Sequence, residues 1–485
     1  MVMHGGKFFS WIGLLLLAGW SVKGQVRVPR LVGDGMVLQR DIPIRIWGFG
    51  SPGERVTVKF DGETGSGVTD DNGRWLVIFS PKKAGGPYTM DIDGINHIWI
   101  QNIMVGEVWF CSGGTGMQLT MEKMKDRYAN LIAGADRVPV RQYRIATRYD
   151  FKGPRQNVPG SSWVPANPTS VLDFSALAYL FAVQLYGHYH VTIGLINASV
   201  ADAPAEAWLS PQALPSFPSY AAVSERYQDS SYAEGASPAD RMAAGGLFNG
   251  MIAPADTYTV RGVLWCEGEA DVSKSSEYEG IFASVIGDWR LHWGQVSLPW
   301  IYVQAGAHGA AGQHEEESRW AAFREAQRLV LSVPTTGMAV SADLGEEKDG
   351  EFPNEEELAK RLVLSAEGIA YEKPDMIYTG PLFHSVRIRH NEVSIRFDAV
   401  ESGLIIKGGG EIHGFELAGA DNRFYPAKAV IEGKKVKVTS DQVSNPVAVR
   451  YGWADNPQGI NLINRDRLFQ DGLPASPFEA RKGTK

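Results

Sequence analysis

The 485-residue sequence predicts an α/β domain built on a parallel sheet, with a β-sandwich-like module on each side. Three observations lead there. Between residues 102 and 375, apolar strand-length runs alternate with helix-length segments, the pattern of a parallel sheet covered on both faces. Residues 25–101 and 376–485 instead carry short strand-like runs with turn residues between them. The side chains with candidate chemistry follow the ends of the central apolar runs, where open α/β sheets bind ligands.

In chain order, residues 1–24 read as a signal peptide. Lys7 precedes the apolar stretch Phe8 to Trp20, and Val22 and Gly24 permit cleavage before Gln25. The mature chain is therefore expected to be secreted or periplasmic. No later stretch approaches the ~20 apolar residues of a membrane span. In residues 25–101 the runs Ile44-Arg-Ile-Trp-Gly and Arg55-Val-Thr-Val-Lys-Phe alternate at period two. Ser51-Pro-Gly and Asp71-Asn-Gly mark turns. In residues 102–375 buried strands are expected at Val105–Cys111, Val191–Asn197, Val260–Cys266, Trp300–Gln304 and Gly337–Ala342. Helices are expected over 173–189, 275–293, 316–332 and 354–370. Asn354 is placed to cap the last of these, with Glu357 as the second partner of a capping box. Residues 210–245, rich in Ser, Pro, Ala and charge, read as a surface excursion. Residues 376–485 return to β patterning.

The net charge of −8 argues against nucleic acid or an anionic membrane as partner. Two cysteines, Cys111 and Cys266, provide no disulfide framework, and buried free thiols are expected. The 14 tryptophans and 54 glycines suit a secreted carbohydrate handler and equally suit sandwich cores and turns.

The segment Gly106-Glu-Val-Trp-Phe-Cys-Ser-Gly-Gly-Thr-Gly-Met117 runs from a strand into a glycine turn. Ser112 stands at its start and Thr115 near its tip. Hydrolytic α/β enzymes present a nucleophile in this way. With Met36-Val-Leu-Gln, Phe248-Asn-Gly-Met-Ile-Ala-Pro254, Gly262-Val-Leu-Trp, Arg324-Glu-Ala-Gln and Tyr451-Gly-Trp-Ala-Asp-Asn-Pro457, it resembles the sialate O-acetylesterase family over nearly the whole mature chain. These are carbohydrate esterases of the SGNH-hydrolase, flavodoxin-like fold. The resemblance implies an O-acetylated saccharide ligand, such as acetylated sialic acid or a plant or host glycan, and no cofactor or metal.

The resemblance also implies that four site blocks are altered. Thr115 takes the place of the nucleophilic serine, flanked by Gly114 and Gly116 in place of Gln and Asn. In Val200-Ala-Asp-Ala-Pro204, Ala201 or Asp202 falls where a glycine N–H would face the oxyanion, and an Asp202 carboxylate there would repel the developing charge. Glu267 and Asp271 replace a Gln and an Asn. Phe352 stands at the position of the family histidine, where a benzyl ring accepts no proton. Glu206, Trp208 and Glu269 are the substrate-binding candidates. Trp109, Trp208 and Trp265 are expected in the core, with Trp208, near Glu206, the alternative candidate for a sugar-stacking surface.

The expectation is a saccharide-binding family member without serine-esterase-type activity. A second is an active O-acetylesterase using Thr115 with a relocated base, His308, His314 or His384. A third is a repurposed acidic site. In it Asp202, Glu267, Glu269 and Asp271 converge with Glu346, Glu347, Asp349 and Glu351 to bind Ca²⁺ or run carboxylate chemistry.

Overall fold

The computed structural model describes residues 25–220, 243–267, 269–309, 317–345, 354–373, 376–465 and 472–484. The expected signal peptide and residues 221–242 of the expected excursion lie outside the described residues.

The central sheet runs Thr336–Ala339, Trp300–Val303, Gly262–Cys266, His97–Gly113, Ile193–Ser199, Val140–Arg144 and Trp163–Pro165. All are parallel except the last, an antiparallel edge strand. The five expected strands are present. Val140–Arg144 and Trp163–Pro165 were not expected. Val140–Arg144 reads Val-Arg-Gln-Tyr-Arg, too polar for a parallel strand buried on both faces. It is tolerated next to the edge, where Arg141 reaches the carbonyls of Gly35 and Asn102 at 2.7 and 2.6 Å.

The helices Ala176–Tyr189, Ser275–Trp293, Arg319–Leu329 and Glu355–Ile369 cover the sheet. The Asn354 side chain caps the last one, accepting from the Glu357 N–H at 3.2 Å. The capping box does not close. The Glu357 carboxylate turns outward to Arg361 at 3.2 Å, because Arg361 already bridges to Asp343 one strand end away.

His97–Gly113 is 17 residues long and serves two sheets. Its first half pairs antiparallel with Gly85–Asp93 in the N-terminal module, and its second half lies at the centre of the parallel sheet. The boundary expected between residues 101 and 102 therefore falls inside one strand. The N-terminal module keeps its period-two burial in Arg55–Phe60 and Arg74–Phe79. Its core of Val56, Val58, Phe60, Trp75 and Met90 is continuous with one face of the central sheet. The opposite face packs on Ala176–Tyr189 and Glu355–Ile369. The C-terminal module has a separate core, with Val393, Ile395, Leu417 and Val436 between two four-stranded antiparallel sheets.

Candidate active site

The site is built at the carboxyl end of His97–Gly113. Gly113 has φ +116°, and a Cβ there would sit 2.3 Å from the Cys266 carbonyl oxygen, so only glycine fits the turn. The Gly114 N–H donates to the same carbonyl at 2.8 Å, tying the turn to the next strand. The chain then makes one helical turn, Thr115–Gln118. Ser112 is buried and donates to the Ala198 carbonyl at 2.8 Å, so it is a structural hydroxyl. Thr115 and Gly116 are half-exposed at the tip.

The Thr115 hydroxyl donates to Asp202 Oδ1 at 3.4 Å, and the Asp202 backbone N–H points back at Thr115 Oγ1 at 3.4 Å. Asp202 has φ +57°, in the left-handed region glycine favours and aspartate tolerates. The Asp202 backbone N–H and its carboxylate thus both face the Thr115 hydroxyl. Gln118, one turn after Thr115, accepts the Ala201 N–H at 2.9 Å and fixes the near end of this loop. Sequence reasoning missed Gln118. Its spacing from Thr115 was the available signal.

Glu267 lies behind the turn, where a Cβ on Gly114 would be 3.8 Å from its Cα and Cγ. Glu267, Asp271 and Glu206 are all buried and enclosed by Trp208, Trp265 and Tyr278. Glu206 pairs with Lys274, a cation that sequence reasoning did not single out. Asp271 Oδ2 accepts the Ala205 N–H at 3.0 Å. Neither oxygen of Glu267 closes a hydrogen bond among the described residues, nor does Asp271 Oδ1 or the Tyr278 hydroxyl. Burial, reinforced by Asp271 and Glu206, pushes the Glu267 carboxyl well above the usual carboxylate range. The indole N–H groups of Trp208 and Trp265 partly oppose that rise without closing aligned hydrogen bonds. Burial and Glu206 raise Asp271 to about 7, against the Ala205 N–H and Lys274.

Two of the substrate-binding candidates are displaced. Trp208 is fully buried, its ring edge-on to Trp265 and Trp289 and its carbonyl taking the Trp289 indole N–H at 2.9 Å. It has no face for a sugar. Glu206 is turned inward to Lys274. Glu269 is exposed. Trp109 and Trp265 are in the core as expected.

Among the described residues, the acidic side chains do not assemble as one cation site. Asp202 faces Thr115 while Glu267 and Asp271 are sealed below. Among the described residues, no three His, Cys, Asp or Glu side chains are arranged to hold a metal ion. Phe352, His314, Glu346, Glu347, Asp349 and Glu351 lie outside the described residues. His308 stacks on Trp320, and His384 is exposed in the C-terminal module beside Asp398. Neither touches Thr115.

Cys111 and Cys266 are free thiols on adjacent strands, Cys111 buried and Cys266 partly so. Among the described residues no helix is long and apolar enough to cross a membrane.

The family model for carbohydrate esterase, sialic acid-specific acetylesterase matches residues 163–364. The chain is 33% identical to a carbohydrate acetylesterase from Xanthomonas citri of known structure, with a TM-score of 0.83 over 94% of this chain and 99% of that one. It is 26% identical to the sialate O-acetylesterase of Pongo abelii and 25% identical to that of Homo sapiens. Each match covers 99% of this chain and 97% of the relative.

Proposed function

Because the chain belongs to the sialate O-acetylesterase family of carbohydrate esterases, we propose that it binds O-acetylated saccharides at the Thr115–Asp202 cleft while cleaving their esters slowly or not at all. The observation behind this reading is the company of the Thr115 hydroxyl. Its described partner is a carboxylate, Asp202, and no imidazole among the described residues reaches it. The threonine methyl restricts the hydroxyl's rotamers. A carboxylate is a weaker base than imidazole, and one placed beside developing negative charge opposes the transition state. Removing the base of such a triad costs on the order of 10⁶ in turnover. The reading includes export through residues 1–24 and a glycan ligand outside the cytoplasm, with no cofactor.

The test is turnover of p-nitrophenyl acetate and O-acetylated sialic acid by wild type and Thr115→Ala. Equal background rates, with saccharide binding retained by calorimetry, support the reading. Brisk hydrolysis lost in Thr115→Ala overturns it. The Thr115–Asp202 contact favours a second reading, in which Asp202 takes the hydroxyl proton as Thr115 Oγ1 attacks the acetyl carbon. In that case Asp202→Asn abolishes whatever rate Thr115 supports.

A further inference from the structure

The loop Ala201–Ala205 brings Asp202 to Thr115, and it is pinned at both ends. The near pin is Gln118 on Ala201, a neutral amide at 2.9 Å. The far pin is Asp271 on Ala205, a fully buried carboxyl at 3.0 Å. The loop that shapes the cleft therefore hangs on one titratable group.

That group has acidic neighbours. Glu206 faces it from the turn Ala205–Trp208, and Lys274 from its own turn. Glu267 faces it from the end of Gly262–Cys266. Tyr278 comes from the helix Ser275–Trp293, and Tyr220 packs nearby against Glu206, with Glu277 beside it. Cys266 and Glu269 flank Glu267 on the chain. Among the described residues one ammonium, Lys274, acts on Asp271 and is already paired with Glu206. Both Glu267 oxygens and Asp271 Oδ1 are buried without a partner, as is the Tyr278 hydroxyl. Asp271 and Glu267, adjacent and buried with oxygens that lack partners among the described residues, do not both ionise readily, so the pair holds protons in common.

We propose that Asp271 positions the Ala201–Ala205 loop, and with it Asp202 against Thr115, and that protons shared between Asp271 and Glu267 set how firmly the loop is held. The ionised carboxylate accepts the Ala205 N–H in a charge-assisted bond, and the protonated carboxyl accepts it more weakly. The Asp271 pKa near 7 puts both forms within the neutral range. Only the effect on ligand affinity rests on the proposed saccharide site. The positioning itself does not.

The test follows the Ala205 amide in full-length, ¹⁵N-alanine-labelled protein, its peak assigned by its loss in Ala205→Gly. The wild-type peak is expected to move downfield as pH rises, with its midpoint near 7. In Asp271→Asn, which keeps an acceptor without a charge, the peak stops titrating. In Glu206→Gln, which removes the negative neighbour and frees Lys274, the midpoint falls by roughly one unit. A wild-type amide that ignores pH, or one that titrates unchanged in Asp271→Asn, overturns the proposal. Should Asp271→Asn not fold, an unmoved midpoint in Glu206→Gln overturns it instead. The titration is read without saccharide, so failure to bind sugar is a separate result.

Discussion

Arg324 and Glu267 are both buried ionisable side chains near the carboxyl edge of one sheet, and the fold treats them oppositely. Arg324 is fully buried in the helix Arg319–Leu329. Its guanidinium donates to the carbonyls of Ala305, Ala454 and Asp455 at 2.8, 2.7 and 2.7 Å, and also to that of Gly306. The backbones of a strand-end loop and of the C-terminal module thus converge on one cation. Burial lowers its pKa only to about 10, so it stays charged. Glu267 meets no such reception. Its oxygens find no aligned donor and its neighbours are acids, so the neutral form is the one the site tolerates. A buried charge surrounded by oriented dipoles acts as a clamp. One without them becomes a place to keep a proton.

The largest effect expected from this contrast is at Arg324. Arg324→Met strands buried carbonyls on both sides of the module junction, and urea denaturation should show a loss of about 3–5 kcal/mol. A loss below about 1 kcal/mol would mean the two regions differ little.

Next comes pH. Folded Asp271 holds its proton up to about 7, whereas the unfolded group releases it near its ordinary value of 3.8. The folded state therefore binds more protons between those values. This group's contribution to stability is full below 3.8 and is lost as pH rises through that window. The slope is at most about 1.4 kcal/mol per pH unit for one proton. Melting temperatures of wild type and Asp271→Asn should converge at the acidic end, where Asp271 is neutral in both states, and separate as pH rises, with wild type the less stable, if the asparagine removes only this cost. A wild-type curve no steeper than the variant's would remove the difference between the acidic pocket and the Arg324 clamp.

The smallest effect concerns Gln327, which joins the two regions. Its Oε1 accepts the Ala305 N–H at 2.7 Å, and its Nε2 reaches the Val303 and Glu267 carbonyls at 3.2 and 3.4 Å. Gln327→Leu should cost about 1–3 kcal/mol in the same denaturation assay, since it leaves a buried N–H without an acceptor.

Local features were legible in the chain. The apolar runs at Trp300 and Gly262 became strands, and the Asn354 cap starts its helix where its side chain accepts a backbone N–H. Thr115 stands on the expected turn, because a glycine at 113 with no room for a Cβ leaves a written signature. Three features were not legible. Val140–Arg144 hides its strand character behind polar residues that a position next to the sheet edge tolerates, with Arg141 reaching backbone carbonyls. Of the two roles open to Trp208 in the sequence, core residue and sugar-stacking surface, packing on Trp265 and Trp289 selects the core. The closing half of the Asn354 capping box is lost because Arg361 engages Glu357 instead.

The sequence by itself determined the α/β order, the strand-to-glycine turn and the family, since these rest on periodicity, turn chemistry and ordered motifs along the chain. Tertiary structure alone decided what surrounds the site. Thr115 meets a partner 87 positions away, and Asp271 meets its loop amide across 66. Contacts at such separations are chosen by how helices and strands pack, and it is this packing that, among the described residues, leaves one carboxyl outside with the hydroxyl and three inside with a single lysine.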